Sequence, residues 1–270
     1  MTKDMHQSKT DSGSILDILE QTAVKAGEIA LRYFRADNKV WMKPGDSPVS
    51  EADFEVDAFL RQELLEARPD YGWLSEETAD SEDRLDRKEI FVVDPIDGTR
   101  GFIAGNVHWC ISIAVIRNGC PVGAVLHCPA VERTFLAAAG MGSRLNGTAL
   151  EPVYGETVHS LTGSKKLNRD IASKFPEKFD IIPYGPSLAY RVAMVASGEV
   201  DGAYARSGAH EWDLAAADLV LSEAGGSVTD SSSNPIVYNT PKTRLPALVI
   251  SGPGRNTTLL DLANSGQFLH

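Results

Sequence analysis

Val92-Val93-Asp94-Pro95-Ile96-Asp97-Gly98-Thr99 is the stretch whose reading decides the fold. With Ile90 and Phe91 ahead of it, it reads as a short, continuously apolar strand that delivers Asp94 to its carboxyl end. Pro95 has no N–H and is expected to stop the ladder there. Asp97-Gly98 then makes a tight turn whose amides, with that of Thr99, can face an anion. Two carboxylates three residues apart across such a turn can converge on one point. Either dipeptide alone is an ordinary turn; both together behind a buried strand suggest a site.

Strand signals continue on the carboxyl side. Trp109 to Ile116 is apolar or alternating, Asn118-Gly119 turns it into a partner strand over Val122–Cys128, and Phe135–Ala139 with the Asn146-Gly147 turn extends an antiparallel pattern. On the amino side, Ser14 is expected to open a helix with Ile15, Ile18, Leu19, Ala23, Ala26, Ile29, Ala30 and Phe34 at three- and four-residue steps. Asp17 stands as the acid of its capping box, and residues 1–13 read as a frayed polar leader. Lys43-Pro44-Gly45-Asp46-Ser47-Pro48 is turn-rich. A second helix starts near Ser50, with Val56, Phe59, Leu60 and Leu64 inward, and ends before Pro69.

The second half changes rhythm. Short strands near 180–182, 201–204 and 247–251 alternate with helices near 187–197, 212–224 and 256–263. The shift divides the chain into an α+β region over 14–154, with an antiparallel sheet, and an α/β region over 155–270. No repeat is present, and Trp212-Asp213 occurs once, which excludes a WD-repeat propeller.

Composition narrows the function classes. The chain has 270 residues, 43% of them hydrophobic and 23% charged, so it is globular material with ample core. The mostly apolar Ile111–Ile116, broken only by Ser112, is far short of a membrane span, and the polar start is expected to carry no export signal core. Three cysteines, Cys110, Cys120 and Cys128, form no CxxC pair, so a reduced cytoplasmic protein with buried packing thiols is expected. The net charge is −11, and no basic stripe suited to a nucleic-acid polymer is visible.

That charge is concentrated. Residues 51–100 hold 16 acids and 6 bases, nearly all of the excess. Most of these acids read as solvated surface, including the Asp80–Asp86 loop. Glu76-Glu77 follows a strand-like Tyr71-Gly72-Trp73-Leu74, Asp53 could be the acid of a capping box after Ser50, and Asp213 opens a helix with an apolar face. If such acids converge, electrostatics demands a partner: two carboxylates about 4 Å apart repel by roughly 4 kcal/mol at an effective dielectric near 20. Oxygen-only ligands without Cys or His at metal spacing point to Mg²⁺ rather than zinc. Amides aimed at an anion beside such an ion suggest phosphoryl chemistry.

Three blocks, Leu74-Ser75-Glu76-Glu77, Val93-Asp94-Pro95-Ile96-Asp97-Gly98-Thr99, and Trp212-Asp213-Leu214-Ala215-Ala216-Ala217 with its Glu223-Ala224-Gly225-Gly226 ending, carry a resemblance. The chain resembles the inositol monophosphatase family of Mg²⁺-dependent phosphomonoesterases, which includes the 3′(2′),5′-bisphosphate nucleotidases. The resemblance implies a layered α-β-α-β-α sandwich, two or three Mg²⁺ ions per site, a homodimer, and inhibition by Li⁺. Glu76, Asp94 and the Ile96 carbonyl would hold the first ion. Asp94, Asp97 and Asp213 would hold the second, and Glu76 would also serve a third. Thr99, polarised by Asp53, would activate the attacking water, and the Gly98 and Thr99 amides would receive the phosphate. The substrate would be a small phosphorylated metabolite.

Departures bear on which one. Where the inositol-specific branch has an acid seven residues before the WD aspartate, this chain has Arg206, a cation better suited to a second phosphate. Arg100-Gly101-Phe102 and Glu211 also resemble the nucleotidase branch. Against this, the nucleotidase Ser-Leu-Lys appears as Ser187-Leu188-Ala189, with Arg191 either a replacement or an ordinary exposed helix arginine. The expected reaction is therefore 3′-phosphoadenosine 5′-phosphate to AMP, with myo-inositol phosphate hydrolysis as the alternative. A non-catalytic regulatory protein on the same fold is a more remote one. The i, i+3 spacing of Asp94 and Asp97 argues against the Asp-x-Asp haloacid-dehalogenase phosphatases. His108, His127 and His210 read as packing or rim residues.

Overall fold

The computed structural model describes residues 2–43, 47–183 and 185–269, with side chains from Ile15 onward. Helix α1 (Thr2–Tyr33) precedes a hairpin of β1 (Val40–Lys43) and β2 (Ser47–Ser50), then α2 (Glu51–Ala67). A seven-stranded sheet follows from β3 (Gly72–Ser75), β4 (Glu89–Asp97), β5 (Cys110–Arg117), β6 (Cys120–Cys128), β7 (Arg133–Ala138), β8 (Ser143–Leu145) and β9 (Thr148–Ala149), in that spatial order. The short helix α3 (Thr99–Ile103) interrupts it after β4. Within this sheet only the β3–β4 pair is parallel. The second half runs β10 (Ser160–Thr162), α4 (Lys165–Lys174), β11 (Asp180–Ile181), α5 (Leu188–Ala196), β12 (Gly202–Ala205), α6 (Glu211–Glu223), β13 (Ser227–Asp230), β14 (Leu248–Ser251) and α7 (Asn256–Gly266). Its five strands lie in the order β11-β10-β12-β14-β13.

The two-residue period of β4 builds the layers. Phe91 and Val93 face α1 and α2, packing with Leu19, Ala26, Val56 and Leu60. Ile90 and Val92 face the other way, into a cluster that includes Leu188 and Val192 of α5, Leu214 and Leu221 of α6, and Ala203 and Ile250 of the second sheet. On the far side of that sheet, Leu167, Ile171, Leu259 and Leu262 bring α4 and α7 against Tyr204 and Val249. The result is the expected α-β-α-β-α sandwich, with α5 and α6 as the middle layer. Burying each such Val, Leu or Ile contributes roughly 1.5–3 kcal/mol. Among the described residues, no helix is long and apolar enough to cross a membrane.

Several local expectations need correction. Pro95 does not end β4, which runs to Asp97. Asp94 pairs with Ser112 and Asp97 with Cys110, so three steps on β4 oppose two on β5 and Pro95 lies within a bulge, where a missing N–H costs no ladder bond. Ser14 lies inside α1 rather than capping it, because no proline interrupts residues 1–33. The turn-rich segment is flanked by the β1–β2 hairpin; Pro44, Gly45 and Asp46 lie outside the described residues. Strands β10 and β13 and helix α4 carry too few apolar residues to have stood out. Cys120 is exposed at a strand end, whereas Cys110 and Cys128 are buried. Both Asn-Gly turns hold left-handed residues, with φ of 53° and 76° at Asn118-Gly119 and 49° and 80° at Asn146-Gly147, as a two-residue hairpin requires.

Candidate active site

The bulge in β4 makes the site possible. In a regular strand, residues three apart point to opposite faces. The extra residue restores the phase, so Asp94 and Asp97 follow their partners Ser112 and Cys110 onto the face covered by α6. The Ser112 hydroxyl donates to the Trp212 carbonyl (3.3 Å) and ties down the first turn of that helix. Asp213 sits in that turn, its Oδ2 accepting from the His210 amide at 2.7 Å. Glu76 comes from the parallel neighbour, its amide donating to the Val93 carbonyl at 3.2 Å. Carboxylate oxygens of Glu76, Asp94 and Asp213 thus lie within 4.8 Å of one another.

Asp94 is 1% exposed. Its Oδ1 accepts from the Ile96 amide (3.0 Å), whereas its buried Oδ2 has no hydrogen-bond partner. Burial, then the charges of Glu76, Asp97 and Asp213, push its carboxyl well above the usual range. Asp213 is raised likewise, by burial and then by Asp97. An orphaned buried carboxylate oxygen beside two more carboxylates, all hard donors, fits a divalent cation such as Mg²⁺.

Asp97 belongs to the same electrostatic group but is held apart from the triplet. Its Oδ2 accepts from the Ser187 hydroxyl (2.5 Å) and the Ala189 amide (2.7 Å), and burial raises its pKa to about 6 against those donors. Gly98 caps α3 with φ +97°, and a Cβ there would come within 3.1–3.2 Å of the Ser187 backbone, so this turn requires glycine.

Asp53 approaches from the opposite layer, on α2, and splits its two oxygens between two tasks. Its Oδ2 accepts from the Ser50 amide (2.8 Å) and hydroxyl (2.6 Å), the capping role. Its Oδ1 lies 3.1 Å from the Thr99 hydroxyl, which is also 3.0 Å from the Ile96 carbonyl. Burial raises the Asp53 pKa to about 6, against the Ser50 and Thr99 donors. The capping and catalytic readings of Asp53 are therefore compatible.

Not every expected residue is brought in. Arg206 donates to Asp170 (2.5 Å) and to the Phe268 carbonyl (3.1 Å), on the side of the second sheet covered by α4 and α7. Glu211 is fully buried and accepts from the Asn239 and Thr240 amides at 2.7 and 3.1 Å, so it anchors a loop. Phe102 packs on Phe34 and Trp109 in the core. His108 stacks on Tyr190 and His210 on Trp212.

Other residues belong here that sequence reasoning did not place or, for Arg191, left open between two readings. Lys43 donates to Glu76 (2.9 Å) and Glu77 (2.7 Å). Glu77 is pushed up to about 7, by burial first and despite the Lys43 bond. Asp57 accepts from Ser75 (2.5 Å) and Thr78 (2.6 Å), bracing both sides of the Glu76-Glu77 pair. Arg191 is 6% exposed rather than an ordinary exposed helix arginine; its Nε donates to the Ser187 carbonyl (3.2 Å), and its charge opposes the rise at Asp97 and Asp213. Only Arg191 and Glu77 had a sequence signal, through their neighbours.

A layered α/β frame that gathers carboxylates at a strand bulge, beside a hydroxyl–carboxylate pair, is suited to metal-assisted hydrolysis. The chain belongs to the inositol monophosphatase family, whose model matches residues 11–261. It is 35% identical over 231 residues to an inositol-1-monophosphatase of Rhizobium meliloti, covering 81% of this chain and 86% of the relative. It is 30% identical over 245 residues to the 3′(2′),5′-bisphosphate nucleotidase CysQ of Haemophilus influenzae, covering 85% and 90%. Its fold superposes on the extragenic suppressor protein suhB of Bartonella henselae with a TM-score of 0.82 at 26% identity, over 94% of this chain and 99% of the other.

Proposed function

We propose that this phosphatase removes the 3′-phosphate of a bisphosphate nucleotide, 3′-phosphoadenosine 5′-phosphate giving AMP. Glu76, Asp94, the Ile96 carbonyl, Asp97 and Asp213 would hold two or three Mg²⁺ ions. Ions held there would offset the carboxylate charge and act as Lewis acids toward the phosphoryl group. Thr99 and Asp53 do the protein's own chemistry: the Thr99 hydroxyl donates to Asp53 Oδ1, leaving its lone pairs to accept a proton from the attacking water. Asp53, with a pKa of about 6, is poised to receive the proton relayed through Thr99. Lys43 keeps Glu76 and Glu77 in place, and the amides of Gly98 and Thr99 would orient the phosphate.

The observation that carries the nucleotidase reading is Arg191, a buried cation beside Asp97 and Asp213, in the helix where the Ser-Leu-Lys lysine is missing. The inositol-1-monophosphatase reading is favoured instead by the Rhizobium relative's higher identity. From the family resemblance, the proposal carries with it Li⁺ inhibition, a homodimer and a cytoplasmic setting. Purified protein with Mg²⁺ would be assayed on 3′-phosphoadenosine 5′-phosphate, inositol 1-phosphate and fructose 1,6-bisphosphate. The highest kcat/KM is expected on the nucleotide; a preference for inositol 1-phosphate would reverse the assignment.

A further inference from the structure

We propose that Arg84 is a positioning residue for the carboxylate centre. Its buried guanidinium bridges the segment that carries Glu76 to the loop that anchors the helix carrying Asp213, and so sets the spacing of those two carboxylates. The inference rests on the reading of these groups as ligands of a divalent cation. Arg84 lies in a short 3₁₀ helix, Glu82–Asp86, inside the acid-rich stretch, yet it is 2% exposed. Taking a guanidinium out of water is costly unless its donors are matched, and here they are matched on two sides. Nε and Nη2 fork onto the two carboxylate oxygens of Asp80, at 2.7 and 2.9 Å. Nη1 donates to Asn239 Oδ1 (2.7 Å), and Nη2 also donates to the Thr240 carbonyl (2.9 Å).

Each side leads to a carboxylate of the centre. Asp80 stands four residues after Glu76. On the other side, Asn239 and Thr240 turn their amides onto Glu211, and the Thr240 hydroxyl adds a third bond at 3.0 Å. Glu211 opens α6 two residues before Asp213; its own amide donates to the Thr243 carbonyl (2.9 Å), and His210 Nδ1 lies 3.0 Å from the Thr243 hydroxyl. The first turn of α6 is thus gripped by residues 239–243, and Arg84 ties that grip to the Glu76 segment. Asn239 sits at φ 55°, a left-handed conformation that asparagine tolerates, and from there its amide serves Glu211 while its side-chain oxygen serves Arg84. The restraint has a force to oppose. Asp94 is fixed by the pairing of β4 with β5, whereas Glu76 lies just past the end of β3 and Asp213 in the first turn of a helix. Like charges within 4.8 Å push those two ends apart. Lys43 and Asp57 brace the Glu76 segment from the hairpin and from α2; Arg84 supplies a link across to α6. A lysine carries the same charge as Arg84 but not the planar fork that joins two segments at a fixed angle.

The test measures Mg²⁺ binding to the substrate-free protein by isothermal titration calorimetry, beside thermal unfolding in EDTA. Arg84→Met should weaken Mg²⁺ binding about tenfold or more, as loss of groups that orient metal ligands does. Arg84→Lys should bind Mg²⁺ more weakly than wild type and less weakly than the methionine variant. Turnover lost at low Mg²⁺ should return as Mg²⁺ is raised, because Arg84 only holds the carboxylates in place. Arg255 is the matched control: it is 8% exposed and bonds Asp201 and the carbonyls of Val153, Pro253 and Thr157, none of them in a segment that carries Glu76 or Asp213. Arg255→Met should lower the Tm in EDTA and leave Mg²⁺ affinity unchanged. Should Arg84→Met not fold, Asn239→Gly decides, because glycine keeps the left-handed backbone and the amide to Glu211 and removes the oxygen that Arg84 reaches. It should weaken Mg²⁺ binding in the same direction. Unchanged Mg²⁺ affinity in the deciding variant overturns the inference, and so does equal weakening in Arg255→Met, which would make the effect a general loosening of the fold. A wild type that binds Mg²⁺ beside an indifferent variant removes only Arg84 and leaves the cation reading standing. A wild type that binds no Mg²⁺ refutes that reading itself, and the inference falls with it.

Discussion

Asp94→Asn should make the metal-free protein more stable and the Mg²⁺-loaded protein less stable than wild type. The reason lies in the unpartnered Oδ2. With carboxylate oxygens of Glu76, Asp94 and Asp213 within 4.8 Å, each ionised pair costs about 3.5 kcal/mol at an effective dielectric of 20. Protonation caps that cost, and the rise of the Asp94 carboxyl is this relief at work. The asparagine removes one charge and keeps an oxygen for the Ile96 amide. Its NH₂ takes the place of Oδ2 and can donate to the neighbouring carboxylates, so repulsion becomes attraction.

For a chain of this size about 2 °C accompanies each kcal/mol, and relief of one carboxylate pair bounds the gain at about 3.5 kcal/mol, so the variant's Tm in EDTA should rise by up to about 7 °C. Adding Mg²⁺ to a hundred times its Kd should raise the wild type by about 2.7 kcal/mol, or about 5 °C, and the variant by little. Turnover should drop roughly a hundredfold or more with the ligand lost. Thermal unfolding of both proteins in EDTA and in Mg²⁺ gives four numbers, and the prediction is that the order of stabilities crosses. A variant less stable than wild type in EDTA would show that Asp94 is a structural hydrogen-bonding residue. An undiminished Mg²⁺ shift would place the ion elsewhere.

Two further outcomes follow from other buried groups. Thr99→Val should lower kcat by about 10²–10⁴ with little change in KM, and Thr99→Ser should recover most of it, because the hydroxyl facing Asp53 Oδ1 is what matters; equal loss in both variants would mean that packing, not proton relay, explains the residue. Asp218, which accepts from the Tyr238 hydroxyl at 2.7 Å, is raised by burial to about 6. The folded state therefore keeps a proton that the unfolded chain releases near pH 4, and this group's contribution to stability falls by about 3 kcal/mol as pH climbs from 4 through 6. Asp218→Asn can still accept from Tyr238 and should flatten that part of the urea-unfolding profile; an unchanged slope would refute the assignment.

What could be read from the chain without coordinates was what depends on neighbours in sequence. The run from Ile90 to Val93, the two Asn-Gly turns and the apolar face of α6 each carry their own signal, because strand, hairpin and helix are short-range structures. The stacking of layers followed from that order of elements. The bulge did not follow, since it exists only in the pairing of β4 with β5, and Pro95 read as a terminator is equally a bulge residue. Lys43 escaped notice for a similar reason: its meeting with Glu76 and Glu77 is made by a four-residue strand positioned by its pairing with β2.

The misplaced cations show how position in a motif and position in space come apart. Arg206 stands where the inositol-specific branch carries a substrate-contacting acid, yet a half-buried guanidinium needs an anion in the fold. Asp170 on α4 supplies one together with the Phe268 carbonyl. Once that pair forms, releasing Arg206 to a substrate would leave Asp170 without its partner, a cost that only a substrate phosphate could offset. Arg191 took the opposite course. Its side chain turns inward under Ser187, because α5 is the middle layer and almost every side chain on it is buried. The same layer that forces Arg191 inward holds Ser187 against Asp97, so the cation stands beside the carboxylates as a consequence of packing.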